Sequence, residues 1–253
     1  MLDNIYMYFS TAPHVSTLLI QQFVTSNPSP AYVKRVADVF DSGTFSSNGF
    51  TFGNGQRGDL RALIAAILLD PEARRGDDPA QTFVSDGKLR EPILWVTGIF
   101  RMLGATSDGG RVINDTANMG QRYLFPPTVF SYFSPDFAVN TPGGAVPGPE
   151  LQLHTTATSL TRANFINTIA YNSNLGSTSI DYTPWAARLT QVGQSQFLDE
   201  LNLVLLHGKM SAQMRTSITN AMNAVPAGAS QDINKTKAAL YLIFSSSQYQ
   251  VQR

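Results

Sequence analysis

The 253-residue chain contains no cysteine, which excludes disulfide frameworks, thiol catalysis and cysteine-ligated zinc. Charge is scarce too: Asp, Glu, Lys and Arg make up 14% of the residues, against roughly 25% in an ordinary soluble domain. The 18 basic and 18 acidic side chains cancel. A protein that binds by neutralising phosphates carries a basic excess, so the balance argues against a nucleic-acid partner. No apolar run approaches the ~18 residues of a membrane span, and no basic start followed by an apolar stretch reads as a signal peptide. The three histidines, His14, His154 and His207, lie more than four residues apart, so no helical metal pair exists. There is no Gly-x-Ser-x-Gly elbow and no EF-hand loop. The one Gly-x-Gly-x-x-Gly match, Gly53 to Gly58, lacks the flanking βαβ pattern of a dinucleotide site and reads as a loop feeding a helix. No cofactor and no metal site is expected.

What is present is an ordinary apolar content of 43%, and a chain of this length buries roughly 70–75% of its unfolded surface. Ser, Thr, Asn and Gln number 73, about twice the charged residues, so solubility rests on uncharged polar groups. Such a surface suits an exported bacterial protein or one packed against a partner.

Periodicity predicts a mainly α fold: a single compact multi-helix domain over 1–253, with a central buried helix and a long Pro/Gly-rich irregular loop. Helices are expected over Leu2 to Phe9 and Pro13 to Val24. A third, capped by Ser29 with Pro30 first, carries Tyr32, Val33, Val36, Val39 and Phe40 on one stripe. Asp41 to Gly58, rich in glycine but holding Phe45, Phe50 and Phe52, reads as a surface-pinned loop or short hairpin. A helix from Asp59 to Leu69 follows, with Leu60, Leu63, Ile64, Ile67 and Leu68 inward, closed by Asp70-Pro71-Glu72. Arg74 to Thr82 is linker-like. Glu91 to Leu103 is apolar almost all round, the mark of a buried central helix, and Gly104 stops it. Residues 104–149 carry six of the fourteen prolines and read as the irregular loop, with one helical turn over Val129 to Phe133. A helix over Glu150 to Ile169 has Leu153, Ala157, Leu160 and Phe165 on its inner face. After a polar loop over Asn172 to Thr183, a C-terminal helical trio occupies 194–247: Gln194 to Leu206, Ser211 to Ala224, and Asp232 to Ser246.

Several blocks carry a resemblance. Val24-Thr25-Ser26-Asn27-Pro28-Ser29-Pro30-Ala31-Tyr32-Val33 with Arg35-Val36, Arg57-Gly58-Asp59-Leu60, and Ala66 through Asp70-Pro71-Glu72-Ala73-Arg74 come first. Lys88-Leu89-Arg90-Glu91-Pro92, Pro126-Pro127-Thr128-Val129-Phe130 with Ser134-Pro135-Asp136, and Pro149-Glu150-Leu151-Gln152 follow. In this order they resemble domain-of-unknown-function family 1800, large uncharacterised bacterial proteins. The resemblance implies that the chain corresponds to the C-terminal half of a longer protein. It also implies a periplasmic or extracellular setting and, as partner, another exported protein or the chain's own N-terminal half. It transfers no reaction, cofactor or catalytic residue.

Five side chains are weak catalytic candidates. Glu150 and His154, at i and i+4, would share a helical face as two ligands or an acid/base pair, or else serve as a dipole-favoured carboxylate and a partly buried histidine bonded to a neighbouring carbonyl. Arg90 would grip an anionic group bidentately, or pair with a loop carboxylate such as Asp136 and pin the long segment, with Glu91 complementing the helix start. The aromatics and prolines of Phe125-Pro126-Pro127 and Tyr132-Phe133-Ser134-Pro135 would stack on sugars or a Pro-rich peptide, or anchor an irregular loop to the core. The expected function is a non-catalytic exported helical scaffold or binding module. The alternative is an enzyme acting on an extracellular polymer such as polysaccharide, with Glu150, His154, Asp136, Glu91 and Arg90 converging on a cleft.

Overall fold

A computed structural model describes residues 2–77, 86–172 and 175–252. The part of the linker-like stretch beyond Asp77, and two positions of the polar loop after Asn172, lie outside the described residues. The fold is mainly α, as periodicity predicts, with thirteen α-helices and only short strands among the described residues. The chain divides into two compact units: Met1–Leu89 with Pro135–Pro149 and Gln252–Arg253, and Arg90–Ser134 with Glu150–Val251.

The first unit contains α1 (Leu2–Met7), α2 (Thr11–Phe23), α3 (Pro30–Ser42), α4 (Leu60–Leu69) and α5 (Pro71–Arg74). Its core is Ala12, Ile20, Tyr32, Val36, Ala37, Phe40, Leu63 and Ile67. Helix α3 starts as expected: Pro30 opens it and the Ser29 hydroxyl accepts from the Tyr32 N–H at 3.1 Å. It stops at Gly43, whose φ is +65° and where an added Cβ would lie 2.0 Å from the Gln56 carbonyl oxygen. Only glycine fits there. Asn48 and Gly49, both at positive φ, join the strands Thr44–Ser47 and Phe50–Gly53 into a hairpin that sets Phe45 opposite Phe52. Positive φ at both central positions is what a two-residue hairpin turn demands.

Asp59 caps α4 by accepting from the Arg61 and Ala62 N–H groups. Its buried face differs from the expected one. Ala62, Leu63, Ala66 and Ile67 point inward, while Leu60, Ile64 and Leu68 are exposed. The helix is apolar over so wide an arc that periodicity does not choose its inner edge. Small side chains do, because they permit close approach: a Cβ on Gly53 would stand 2.7 Å from that of Ala62. A second hairpin, Ala138–Thr141 with Gly144–Pro147, also belongs to this unit.

The second unit is built on α6 (Pro92–Leu103), α7 (Gly110–Asn118), α8 (Thr156–Tyr171), α9 (Thr183–Val192), α10 (Gln194–Leu206), α11 (Ala212–Asn223), α12 (Gln231–Ser245) and α13 (Ser247–Gln250). Trp95, Val96, Ile99, Phe100 and Leu103 of α6 are buried with Phe165, Ile166, Phe197, Leu198, Leu201, Leu240, Ile243 and Phe244. Helix α6 is thus the core element expected, although not on every side: Leu94 is 44% exposed and Arg101 is exposed. The C-terminal helices α10 to α12 form as expected, α12 packing on α8, α9 and α11.

Three expectations fail here. The stretch 104–149 is not one irregular loop, since it holds α7 and the second hairpin. Helix α7 escapes notice because it is polar, with Thr116 its one buried residue, and presents no apolar stripe. Val129 to Phe133 is not helical: Thr128 and Ser131 pair across a tight turn. Nor does one helix run from Glu150 to Ile169. A 3₁₀ turn, Pro149–Leu153, ends before α8, which Thr155 starts with a reciprocal box. There the Thr155 hydroxyl accepts from the Thr158 N–H at 3.2 Å and the Thr158 hydroxyl from the Thr155 N–H at 2.8 Å, satisfying donors an uninterrupted helix would have bonded internally. Helix α9 was not foreseen: it fills the segment between the polar loop and the helix starting at Gln194. Its signal was Thr183-Pro184, with Asp181 accepting from the Thr183 N–H at 2.8 Å.

Candidate functional site

The residues that carry the family resemblance in the first unit close into one hydrogen-bonded clasp. Arg35 donates to Asp70 from Nε at 2.7 Å and from Nη2 at 2.8 Å, and Asp70 caps α5 by accepting from the Glu72 N–H at 2.8 Å. Glu72 in turn accepts from the Ser29 N–H at 2.9 Å and the Ser29 hydroxyl at 2.5 Å. The Tyr32 hydroxyl donates to the Ile67 carbonyl at 2.6 Å. Burial, with the neighbouring Asp70 and Glu72 charges, holds the Tyr32 phenol far above its ordinary value, while Arg35 acts weakly the other way. Each charged group here answers another within the unit. The clasp fastens the start of α3 to the joint between α4 and α5, and it leaves no group directed at a ligand.

In the second unit the predicted residues go separate ways. The Arg90 guanidinium lies over the Tyr249 ring, 4.6 Å from its centroid. Glu91 accepts from Gln121 Nε2 at 2.6 Å, and the Gln121 carbonyl accepts from the Ile93 N–H at 2.8 Å, so the pair secures the start of α6. Glu150 is buried in the 3₁₀ turn. His154, past the end of that turn, does not share an α-helical face with it. Its Nε2 stands 3.2 Å from the Ser159 hydroxyl, and burial, aided by the Arg162 charge, pulls its pKa below the usual histidine value. The residue is exposed as a whole, and its partner is a side-chain hydroxyl and not a backbone carbonyl. Asp136 belongs to the first unit. Among the described residues, no group of three or more His, Cys, Asp or Glu side chains is placed to hold a metal ion, and no helix is long and apolar enough to cross a membrane.

The unexpected feature is the segment Arg122–Ser131. All ten of these residues are exposed, yet five are large and apolar: Tyr123 at 51%, Leu124 at 73%, Phe125 at 63%, Val129 at 95% and Phe130 at 62%. Phe125 therefore does not anchor the loop to the core, contrary to the anchoring expectation, while Tyr132 and Phe133 behind it are half-buried. The loop is shaped nonetheless. Pro126 and Pro127 fix two φ angles. The Ser131 N–H donates to the Thr128 carbonyl at 3.1 Å, the Phe130 N–H to the Thr128 hydroxyl at 3.1 Å, and the Phe125 N–H to the Arg122 carbonyl at 3.0 Å. The Tyr132 hydroxyl donates back to the Arg122 carbonyl, and the Arg122 guanidinium covers the Phe125 ring at 4.2 Å. Among the described residues, two of the four non-glycine positions with positive φ, Leu124 and Ser131, lie in this loop. Such backbone persists only where its surroundings over-determine it, and it gathers at functional sites. Hydropathy alone could not find this loop, because apolar residues in a sequence are read as core.

No curated protein and no solved structure matches the chain. A family model described as "Protein of unknown function (DUF1800)" matches residues 1–251, nearly the whole chain, and agrees with the blocks singled out in the sequence. The chain belongs to this family, whose function is unknown.

Proposed function

We propose that the chain is a non-catalytic helical binding module that seats the loop 122–131 on a partner protein. The observation that carries this reading is the exposure of Tyr123, Leu124, Phe125, Val129 and Phe130 together on a loop held in one shape. Contiguous exposed apolar surface marks an interaction site, and a shape fixed before binding removes much of the ordering entropy that association otherwise costs. A protein surface suits it better than a lipid one. The segment's single charge is Arg122, not the cluster of basic residues by which proteins hold anionic membranes. Predefined shape is also useful against a complementary cleft and not against a fluid. The low charge and abundant uncharged polar residues support an exported setting for this partnership.

A photo-crosslinking amino acid placed at Val129 tests the reading in the native host. One dominant protein adduct is expected, absent when the same group replaces exposed Gln152 and lost when Phe130→Asp is added. A pattern at Val129 indistinguishable from that at Gln152 would overturn it.

A further inference from the structure

Most arginines of this chain hold a carboxylate: Arg35 with Asp70, Arg57 with Asp41, Arg111 with Asp115, Arg188 with Glu200, and Arg215 with Asp199. Of the four in the second unit that do not, Arg122 covers the Phe125 ring, and the other three gather at one place, the residues Tyr249 and Gln250 at the end of α13. Arg90 lies over the Tyr249 ring. Arg101, on the exposed side of α6, acts with Arg90 on the Tyr249 phenol, each partly offsetting the rise that burial causes. The phenol oxygen stands beside Gly98, 3.8 Å from where a Cβ would be, one helical turn from Arg101. Arg162, 2% exposed, completes the group from beneath. It donates from Nη1 to the Gln250 side-chain carbonyl at 3.2 Å and from Nη2 to the Arg90 carbonyl at 2.9 Å, and it stacks on Trp95 at 5.1 Å.

Among the described residues no carboxylate lies within ion-pair distance of these three guanidinia, and Arg162 Nε is buried with no hydrogen-bond partner. A buried cation without a countercharge is costly to keep. Burial lowers the Arg162 pKa to about 10. Two such arginines at Tyr249, with a third beneath them at Gln250, leave a negative charge missing from this place.

We propose that Arg90, Arg101 and the Tyr249 hydroxyl form a binding site for a phosphate-type tetrahedral oxyanion, with Arg162 as the positioning residue that holds the Arg90 backbone and Gln250 in place. A planar carboxylate is satisfied by a single guanidinium fork, whereas two forks and a phenol offer donors from several directions, the demand of a tetrahedral group. Access is from the side of Arg101, which is exposed, past half-buried Arg90. The site is independent of the loop 122–131 and stands or falls apart from it.

Isothermal titration calorimetry on the full chain tests the site with inorganic phosphate, methyl phosphate and acetate. Saturable one-site binding of phosphate and methyl phosphate is expected, with acetate at least about tenfold weaker. Arg101→Gln should weaken phosphate binding about tenfold, the loss of one charge-assisted contact, with an unchanged circular dichroism spectrum. Arg90→Lys, which keeps the charge but removes the fork, should weaken it as well. The methyl phosphate arm separates a phosphoryl group borne on a larger ligand, which it binds equally, from a free ion, which it binds poorly. Absence of saturable phosphate binding, phosphate affinity unchanged by Arg101→Gln, or acetate binding as tightly as phosphate would each overturn the proposal.

Discussion

Arg35 on α3 grips Asp70 with two hydrogen bonds, although 35 residues separate them. Asp70 is nearly inaccessible while Arg35 remains half open to solvent, their side chains being 4% and 47% exposed. The pair is therefore stronger than a surface ion pair and weaker than a fully buried one. Its acceptor is committed twice, to Arg35 and to the first turn of α5.

Arg35→Ala should accordingly destabilise the protein by about 2 kcal/mol, and Asp70→Ala by more, since that change also removes the cap of α5. Urea unfolding of both variants checks the order. Equal losses would mean that the cap contributes nothing.

Gly43 and Gly104 both end helices at positive φ, but with different surroundings. Gly104→Ala meets open space and should cost about 1 kcal/mol, the left-handed penalty alone. Gly43→Ala places its Cβ 2.0 Å from the Gln56 carbonyl and should cost well beyond that. Thermal melts of the two single variants decide it, and a smaller loss for Gly43→Ala would contradict the packing described.

His154 has a folded-state pKa depressed by burial and by Arg162. The unfolded chain takes its proton near the ordinary ~6.5, whereas the folded one resists until lower pH. The stability tied to the neutral ring is present above pH 6.5 and is lost as pH falls through the folded value. Wild type should lose more stability between pH 7 and pH 5 than His154→Asn, measured by denaturant titration at each pH. Parallel slopes would show that the folded surroundings do not disfavour the charged ring.

The loop 122–131 takes little part in folding if its apolar side chains face outward. Val129→Ser and Phe130→Ser should leave stability within about 0.5 kcal/mol of wild type and reduce the binding of a hydrophobic dye. Phe165→Ala in the core should cost about 3–5 kcal/mol. A large loss from Phe130→Ser would show that the loop packs inward in solution.

Much of the fold was legible because its signals are local. Ser29-Pro30 started α3, Asp59 started α4, and Gly104 ended α6. Each acts through backbone atoms within a few residues and needs no distant partner. Helices α7 and α9 stayed hidden for the opposite reason: one lacks an apolar stripe, and the other is short, with Ala186 and Leu189 its buried residues.

By itself the sequence determined an α-rich protein without thiol chemistry, charge excess or membrane-spanning helix, and the family to which it belongs. It did so because composition, caps and periodicity act at short range. Only the tertiary structure decided which side of α4 turns inward and that Arg35 meets Asp70. It alone placed Glu150 inside a 3₁₀ turn and His154 past its end, set Phe125 and Val129 in solvent, and gathered three arginines at Tyr249 and Gln250. Those outcomes depend on which surfaces fill space together and which charges find a countercharge, and neither is written in the order of residues along the chain.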